Sequence, residues 1–380
     1  MDARFESEQG GGAVPRPQPP SLDSMLAQPG PWLDGSGSKS EIVLSTRVRL
    51  ARNLRREPFT HRAREDQLRG VLQRVERAAA AAPSLAGGAF LPMHELAPLE
   101  RRFLVERHLV SQELSEVARP RGLFVASGER LSLMINEEDH LRLQSLVSGL
   151  MLGDAWSLAD QADDELDGAL EYAYHEEWGY LTACPTNAGT GLRASALIHL
   201  PALVLTKQIE KVLKGIMQMG LAVRGPYGEG SDMAGNLFQI SNQTTLGPSE
   251  KETLESLERV TRQILAAEER ARETLLRDAR VQIEDKVYRA FGSLRYGRTM
   301  ASAEVVNLCS AVRLGVAIGL AELPPLKALN ELLVLTQPAH LQRRLGKVLE
   351  QPERNVHRAD FVREYLARAM AAPRAAGGES

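Results

Sequence analysis

The sequence predicts an α+β domain followed by an all-helical C-terminal domain, and three observations carry that reading. In "EIVLSTRVRL" (41–50), Ile42, Leu44 and Thr46 alternate with Val43, Ser45 and Arg47, the period of a strand. "GLFVAS" and "RLSLMIN" are two short apolar runs around Gly128-Glu129, the pattern of a hairpin. Beyond Ser249 the strand signals cease and apolar residues recur at helical spacing to about residue 373.

Taken in order, residues 1–39 are rich in Gly, Pro, Ser and Gln and are expected to be a disordered leader, within which Pro31-Trp32-Leu33 could dock locally. The first strand follows from about residue 40. "REDQLRGVLQRVERAAAAA" and "LAPLERRFLVERHLVSQEL" have helical spacing, and the hairpin comes next. If Asn136 caps a helix, "EEDHLRLQSLVSGLMLGDAWSLADQADDELDGALEYAY" supplies roughly two helices, with its acids in a favourable first turn. "GYLTACPT", "MGLAVRG" and "GNLFQISNQ" are further strand candidates, and the helical "LVLTKQIEKVLKGIMQ" lies among them. One long helix with Glu and Arg at i,i+4 spacing is expected from Ser249 to about Ala290. The expected units are therefore a leader (1–39), a catalytic domain (40–270) and a helical C-terminal domain (271–380).

Composition narrows the functional classes. A net charge of -3 argues against nucleic-acid binding driven by overall charge. Two cysteines without a CxxC exclude a disulfide scaffold and a cysteine zinc site. The first residues carry no apolar signal core, and charges interrupt every candidate membrane span. A cytoplasmic globular protein with no membrane partner and no direct nucleic-acid partner is expected.

The usual nucleotide motifs are missing: there is no GxxxxGK[ST], no strand-GxGxxG-helix unit and no HRDLxxxxN. Arginine placement says more. Arg47 and Arg49 lie two apart on a strand and project from one face, where two guanidiniums repel unless an anion or carboxylate sits between them. A salt-bridged surface strand would have the same pattern. In "INEEDHLRLQ", Glu137, Glu138, Asp139 and His140 precede Arg142, so one carboxylate could turn inward as a general base; a metal site there has no support from the spacing. "VRGPYGEGSDMAGNLFQ" has four glycines around Tyr227, Glu229 and Asp232, which suits either a mobile lid or a plain surface loop. Dispersed arginines, clustered carboxylates and a glycine-rich loop together suggest phosphoryl transfer, which depends on positioning and dispersed positive charge.

"STRVRLARNL", "NEEDHLRL", "CPTNAGTGLRAS", "VRGPYGEGSD" and "ISNQTTLGPSE" carry a resemblance, in order and spacing, to the ATP:guanidino phosphotransferases over about residues 41–270. The chain resembles most the bacterial protein-arginine kinases (McsB type). It has a short leader in place of the helical domain of the small-molecule phosphagen kinases. Tyr227 stands where those enzymes have a second lid arginine, and a helical C-terminal domain follows. The resemblance implies a phosphagen-kinase-like (glutamine-synthetase-like) catalytic domain, an antiparallel sheet flanked by helices.

By the same resemblance, ATP would be bound by Ser45, Thr46, Arg47, Val48, Arg49, His108, Arg142, Arg193, Ala194, Ser195, Arg224, Gly225, Tyr227 and Gly228. Mg2+ would arrive on ATP, with no metal held by the protein itself. Glu138 and Glu229 would clamp the acceptor guanidinium and Cys184 would lie beside it, its thiolate favoured by the nearby cations and assisting without forming a covalent intermediate. A guanidinium is a poor nucleophile because its lone pair is delocalised and its pKa exceeds about 12. A carboxylate that accepts its N–H bonds can align one nitrogen and take the proton.

In the C-terminal domain, "PERNVHRADFVRE" resembles an RDxxRA segment that binds phosphoarginine allosterically, through Arg354, Asn355, Arg358 and Ala359. Asn355 replaces the expected aspartate, which puts phosphoarginine sensing in question. The implied partners are proteins with exposed arginines, a Clp-type ATPase, an activator protein and a heat-shock repressor, with the chain acting as a homodimer in a stress response. Two other readings stay open: a phosphagen kinase acting on free arginine or another small guanidino compound, and an inactive adaptor that binds phosphoarginine.

Overall fold

Among the described residues, strands and helices mix in the first two-thirds of the chain and no strand follows Asn242. The computed structural model describes residues 19–116, 119–225 and 234–371. The strands are β1 (Val43–Arg52), β2 (Ala89–Pro92), β3 (Gly122–Val125), β4 (Leu131–Ile135), β5 (Leu141–Ser148), β6 (Tyr174–His175), β7 (Gly179–Tyr180), β8 (Leu192–His199), β9 (Leu221–Arg224) and β10 (Leu237–Asn242). The helices of the sheet-bearing part are α1 (Leu22–Ala27), α2 (Glu65–Ala81), α3 (Pro98–Glu106), α4 (Gln112–Ser115), α5 (Leu152–Asp167), α6 (Pro201–Leu205), α7 (Ile209–Gln218) and α8 (Glu250–Asp278). After them come α9 (Arg280–Tyr296), α10 (Ser302–Ala317), α11 (Leu326–Leu335), α12 (Pro338–Leu345) and α13 (Gln351–Ala371).

Eight strands form one antiparallel sheet in the order β2-β3-β4-β5-β1-β8-β10-β9, with β1 at its centre. Strand periodicity sorts its side chains into two faces. Val48 and Leu50 of β1, Leu141 and Leu143 of β5, and Ala194, Ala196 and Ile198 of β8 enter the main core. There they pack on α2, α5 and α8 through residues such as Val71, Ala159 and Ile264. The opposite face is divided. Leu44, Leu146, Leu197 and Leu237 pack on the C-terminal helices through Leu294, Val312, Leu329 and Val362. The rest of that face stays open to a cleft.

Several expectations are corrected. Asn136–Asp139 do not start a helix; they are the loop of the β4–β5 hairpin. The Asn136 side chain donates to the carbonyls of Leu68 (2.8 Å) and Pro120 (2.9 Å) instead of capping, and its backbone N–H donates to the His140 carbonyl at 3.0 Å. The period-two run Leu141, Leu143, Ser145, Val147 is then a buried strand, and only α5 remains of the two expected helices. The described part of the leader, residues 19–39, is ordered: α1 and the 3-10 turn Pro31–Leu33 bury Met25, Trp32 and Leu33, each of which finds an apolar partner surface. The helix expected over 249–290 breaks at Ala279, whose φ of -145° is not helical. The run 203–218 is two helices, α6 and α7, and the strand in "GYLTACPT" shrinks to β7, with a 3-10 turn at Pro185–Asn187. No described helix is long and apolar enough to cross a membrane.

Candidate active site

The ladder sets out the cleft floor. Because β1 alternates, Ser45, Arg47 and Arg49 project from its open face, while Thr46 and Val48 project into the other. Arg49 sits directly across from Arg193 on β8, and Arg47 across from Ser195. Gln239 of β10 lies across from Leu197 on one side and Arg224 on the other. On β5, Arg142 lies one place beyond the β1 arginines. A cleft of about 520 Å3 is lined by Arg47, Arg49, Arg142, Arg193 and Arg224, together with Glu137, Glu138, Cys184 and His108.

Like charges opposed across a ladder are destabilising unless something else neutralises them. Burial lowers the Arg47 pKa to about 10, with Arg142 and Arg193 adding to the effect. Arg49 is lowered well below its usual value by burial and then by Arg47, Arg142 and Arg193. Its Nε is buried with no hydrogen-bond partner among the described residues. Arg47 donates to Gln239 Oε1 at 2.7 Å. These are guanidiniums placed for an anion, because forked N–H donors in a shared depression suit phosphate oxygens.

The hairpin loop separates the two glutamates. Glu137 is buried and accepts Arg142 Nη1 on both oxygens (2.8 and 2.7 Å) and the Ser111 hydroxyl at 2.5 Å. Burial alone would raise its pKa; Arg142 and Ser111 outweigh that and hold it below the usual carboxylate value. Glu138 is exposed to the cleft, and its Oε2 accepts from Asn187 Nδ2 at 3.1 Å. Asp139 ties this loop to the next by accepting from Asn53 Nδ2 (2.6 Å) and the Ala183 N–H (2.7 Å), which brings Cys184 beside Glu138 in the lining. His140 Nδ1 accepts the Leu54 N–H at 3.0 Å and Nε2 faces the Pro58 carbonyl at 3.1 Å; burial lowers its pKa to about 4. It is a neutral latch, turned away from any ligand. Cys184 Sγ lies 3.0 Å from the Thr186 hydroxyl. The loop between β7 and β8 requires glycine at 189: its φ is +102°, and a Cβ there would stand 2.3 Å from the Thr245 carbonyl oxygen.

The structure thus brings together Arg47, Arg49, His108, Glu138, Arg142, Cys184, Arg193 and Arg224 of the expected set, with Ser45 and Ser195 in an adjoining slot. His108 follows α3 at φ +61°, over the cleft and not on a helix surface. Thr46, Val48 and Ala194 do not present side chains there: the Thr46 hydroxyl donates to the Gly149 carbonyl at 2.7 Å, and the other two are core. Gly225 is buried next to Arg224, while Tyr227, Gly228 and Glu229 lie outside the described residues.

On α13, Arg358 is almost fully buried. It donates to the carbonyls of Thr336 and Met300 and to Asn355 Oδ1, each at 2.8 Å. Ala359 faces the core, and Arg354 donates to the Leu349 carbonyl at 2.6 Å. Sequence reading did not single out Ser111, Asn187 or Gln239. Only Gln239 had a signal, its place two residues from Leu237 and Ser241 in an alternating strand.

Comparison with known proteins agrees with this geometry. Residues 70–271 match the ATP:guanido phosphotransferase C-terminal catalytic domain, and residues 280–376 match the protein-arginine kinase McsB C-terminal domain. A protein-arginine kinase of Moorella thermoacetica is 48% identical over 88% of this chain and 97% of its own length. One from Symbiobacterium thermophilum is 47% identical over 88% and 96%. Among solved structures, the duplicated taurocyamine kinase of Schistosoma mansoni with bound transition state analog components superposes with a TM-score of 0.57. It is 22% identical and covers 64% of this chain and 35% of that one. Lombricine kinase superposes at 0.53, with 24% identity over 67% of this chain and 71% of its own. At those identities the two structures speak for the fold alone.

Proposed function

The chain belongs to the ATP:guanidino phosphotransferase family and, within it, to the protein-arginine kinases, and on that premise we propose that it transfers the γ-phosphoryl group of ATP to arginine side chains of proteins. The observation that carries the reading is the pairing of an arginine floor with an exposed carboxylate beside Cys184 and Asn187, Glu138.

In this mechanism Arg47, Arg49, Arg142, Arg193 and Arg224 hold the phosphates, and Mg2+ enters as part of the substrate, bound to ATP. Glu138 accepts N–H bonds from the acceptor guanidinium and, steadied by Asn187, aligns one nitrogen with the γ-phosphorus. The bond from the γ-phosphorus to the β,γ-bridging oxygen breaks as the N–P bond forms; the nitrogen's proton passes to Glu138 and ADP leaves. Glu137, saturated by Arg142 and Ser111, keeps Arg142 in position and takes no proton. Glu229 would be the second carboxylate on the acceptor guanidinium, Tyr227 would contact the nucleotide, and Cys184 would assist beside the acceptor.

The finer biology comes from the resemblance: cytoplasmic action in a stress response, marking of proteins for a Clp-type ATPase and protease, phosphorylation of a heat-shock repressor, an activator protein and a homodimer. The allosteric phosphoarginine role of the α13 segment is proposed in the same way. A binding test with free phosphoarginine addresses it, since equal affinity in Arg354→Ala discards that site.

The enzymatic reading is tested by incubating the chain with labelled ATP and Mg2+, offering an arginine-bearing protein and, separately, free arginine. Acid-labile label on protein alone is expected. Label on free arginine points to a phosphagen kinase, and no label with phosphoarginine binding points to an adaptor.

A further inference from the structure

Beside the cleft, and continuous with it through Arg47, His108 and Gln239, is a narrow slot lined by Trp32, Ser45, Leu146, Ser195 and Leu197. It is apolar on its broad sides, with two small hydroxyls. If the five arginines take phosphates, the slot at their end meets whatever the phosphates are attached to. A flat heterocycle fits that chemistry, with large faces to bury and a few polar edges to satisfy.

Trp32 comes from the strap between α1 and β1, a segment composition marks as disordered. It is 4% exposed, and its indole stands edge-on to the His108 imidazole, with centroids 5.1 Å apart and planes at 83°. Both ends of the strap are fixed. The Gln28 carbonyl accepts Arg107 Nη2 at 2.5 Å, and Arg107, the neighbour of His108, is itself clamped by both oxygens of Glu129. After Trp32, the Leu33 carbonyl accepts Asn330 Nδ2 at 3.1 Å, a donor on α11 of the C-terminal domain. Leu150 N–H then donates to the Ser38 carbonyl at 2.7 Å, where Gly37 passes so close that a Cβ would lie 1.9 Å from the Ser148 carbonyl oxygen. The free space in the slot is about 10 Å3, no more than a single water occupies. A base needs the slot to widen, and the indole edge-on to His108 is the largest side chain that lines it.

We propose that Trp32 is a specificity-determining residue of the nucleotide site: it fills the nucleobase slot in the free protein, turns to admit a purine, and then covers the face of that base. This rests on the proposed function, since it takes the arginine floor to be the phosphate site. It also gives the C-terminal domain, through Asn330 and the strap, a direct hold on the base end of the nucleotide.

The chain has three tryptophans, so the full-length Trp156→Phe/Trp178→Phe protein reports on Trp32 alone. ATP with Mg2+ is expected to change its emission, whereas inorganic tripolyphosphate with Mg2+ should bind without doing so. In the otherwise wild-type chain, Trp32→Leu should raise KM for ATP about tenfold with kcat changed less than about twofold, while tripolyphosphate affinity stays constant; Trp32→Phe should restore most of the loss. An unchanged KM in Trp32→Leu overturns the proposal, and so does an equal loss of ATP and tripolyphosphate affinity, which would make Trp32 a fold residue only. If Trp32→Leu does not fold, the emission experiment decides alone: equal responses to ATP and tripolyphosphate overturn the proposal. A wild-type chain that binds neither compound refutes the phosphate reading underneath, a result distinct from the others.

Discussion

Two arginine clusters, one on the sheet and one on α13, look alike in sequence and differ in what their donors meet. On the sheet, Arg49 faces Arg193 across the ladder, has its Nε without a hydrogen bond among the described residues, and shares a cleft with Arg47, Arg121, Arg142 and Arg224 as well. On α13, Arg358 delivers its Nε and Nη1 protons to two backbone carbonyls and the Asn355 amide oxygen. Burial lowers the pKa of both arginines, so the shift alone does not distinguish them. Open donors in a shared depression leave electrostatic free energy for a ligand to gain, whereas satisfied donors hold a fold together. Between Arg49 and Arg358 the difference is therefore one of hydrogen-bond partners, not of residue type, and it leaves the phosphoarginine role proposed for the α13 segment to Arg354.

The largest test of this contrast lies in the adjacent carboxylates, Glu137 satisfied and Glu138 open. Glu138→Gln should lower kcat by about three orders of magnitude while ATP affinity changes less than about threefold. Titration of ATP alongside single-turnover transfer measures both. Near wild-type turnover would remove Glu138 from the chemistry and with it the functional meaning of an open group. The same test on the cationic side is Arg49→Met. It should cost at least about a hundredfold in kcat/KM and, by relieving repulsion from Arg47, Arg142 and Arg193, stabilise the fold by about 1 kcal/mol. A fall in both activity and melting temperature would put Arg49 among the struts.

Sequence reading reached the sheet cluster and misjudged its surroundings, for physical reasons. Arg47 and Arg49 were legible because strand periodicity is local: two residues apart means one face. The Glu137–His140 loop was misread because acids after an asparagine suit a helix start equally well. What decides against a helix is distant, the Leu68 and Pro120 carbonyls that take the Asn136 amide. Local pattern could not say which glutamate stays open, and only the family resemblance singled out Glu138, since the choice depends on Ser111 reaching Glu137 from α4's cap and Asn187 reaching Glu138 from another loop. The leader shows the same limit. Its composition suits disorder, but Trp32 and Leu33 join a cluster with the C-terminal helices, and the Leu33 carbonyl accepts from Asn330, 297 positions away. The helical C-terminal domain was legible as a class, although not its docking on the open face of the sheet.

At α13 the expected effects are smaller and reversed in kind. Arg358→Met leaves the Thr336 and Met300 carbonyls and the Asn355 amide oxygen without their donor, so it should destabilise the fold by about 2–3 kcal/mol. With ATP and a protein acceptor, and no phosphoarginine added, kcat/KM of the folded variant should stay within about twofold of wild type. Denaturant unfolding and initial rates on the same preparation measure the two effects. A large catalytic loss at unchanged stability would reverse the assignment of the two clusters.

The finest test lies inside the active-site loop itself, at His140. Its Nδ1 accepts the Leu54 N–H, so the folded protein holds it neutral, with burial pushing its pKa down to about 4. An unfolded chain titrates the same ring near 6.5. Between those values the unfolded state binds more protons than the folded one, so stability falls as pH drops from about 6.5 towards 4, by up to about 1 kcal/mol per pH unit for this group. His108, lowered to about 3 by burial, Arg47 and His340, adds a contribution of the same sign. His140→Gln should therefore make the stability-versus-pH curve shallower over that window without abolishing its slope. Because His140 is satisfied and turned from the cleft, ATP affinity at neutral pH should be unchanged by the substitution, provided the loop stays folded. An unchanged slope would mean that the ring accepts its proton without breaking the latch, and a loss of ATP affinity would mean that a satisfied group can still belong to the site.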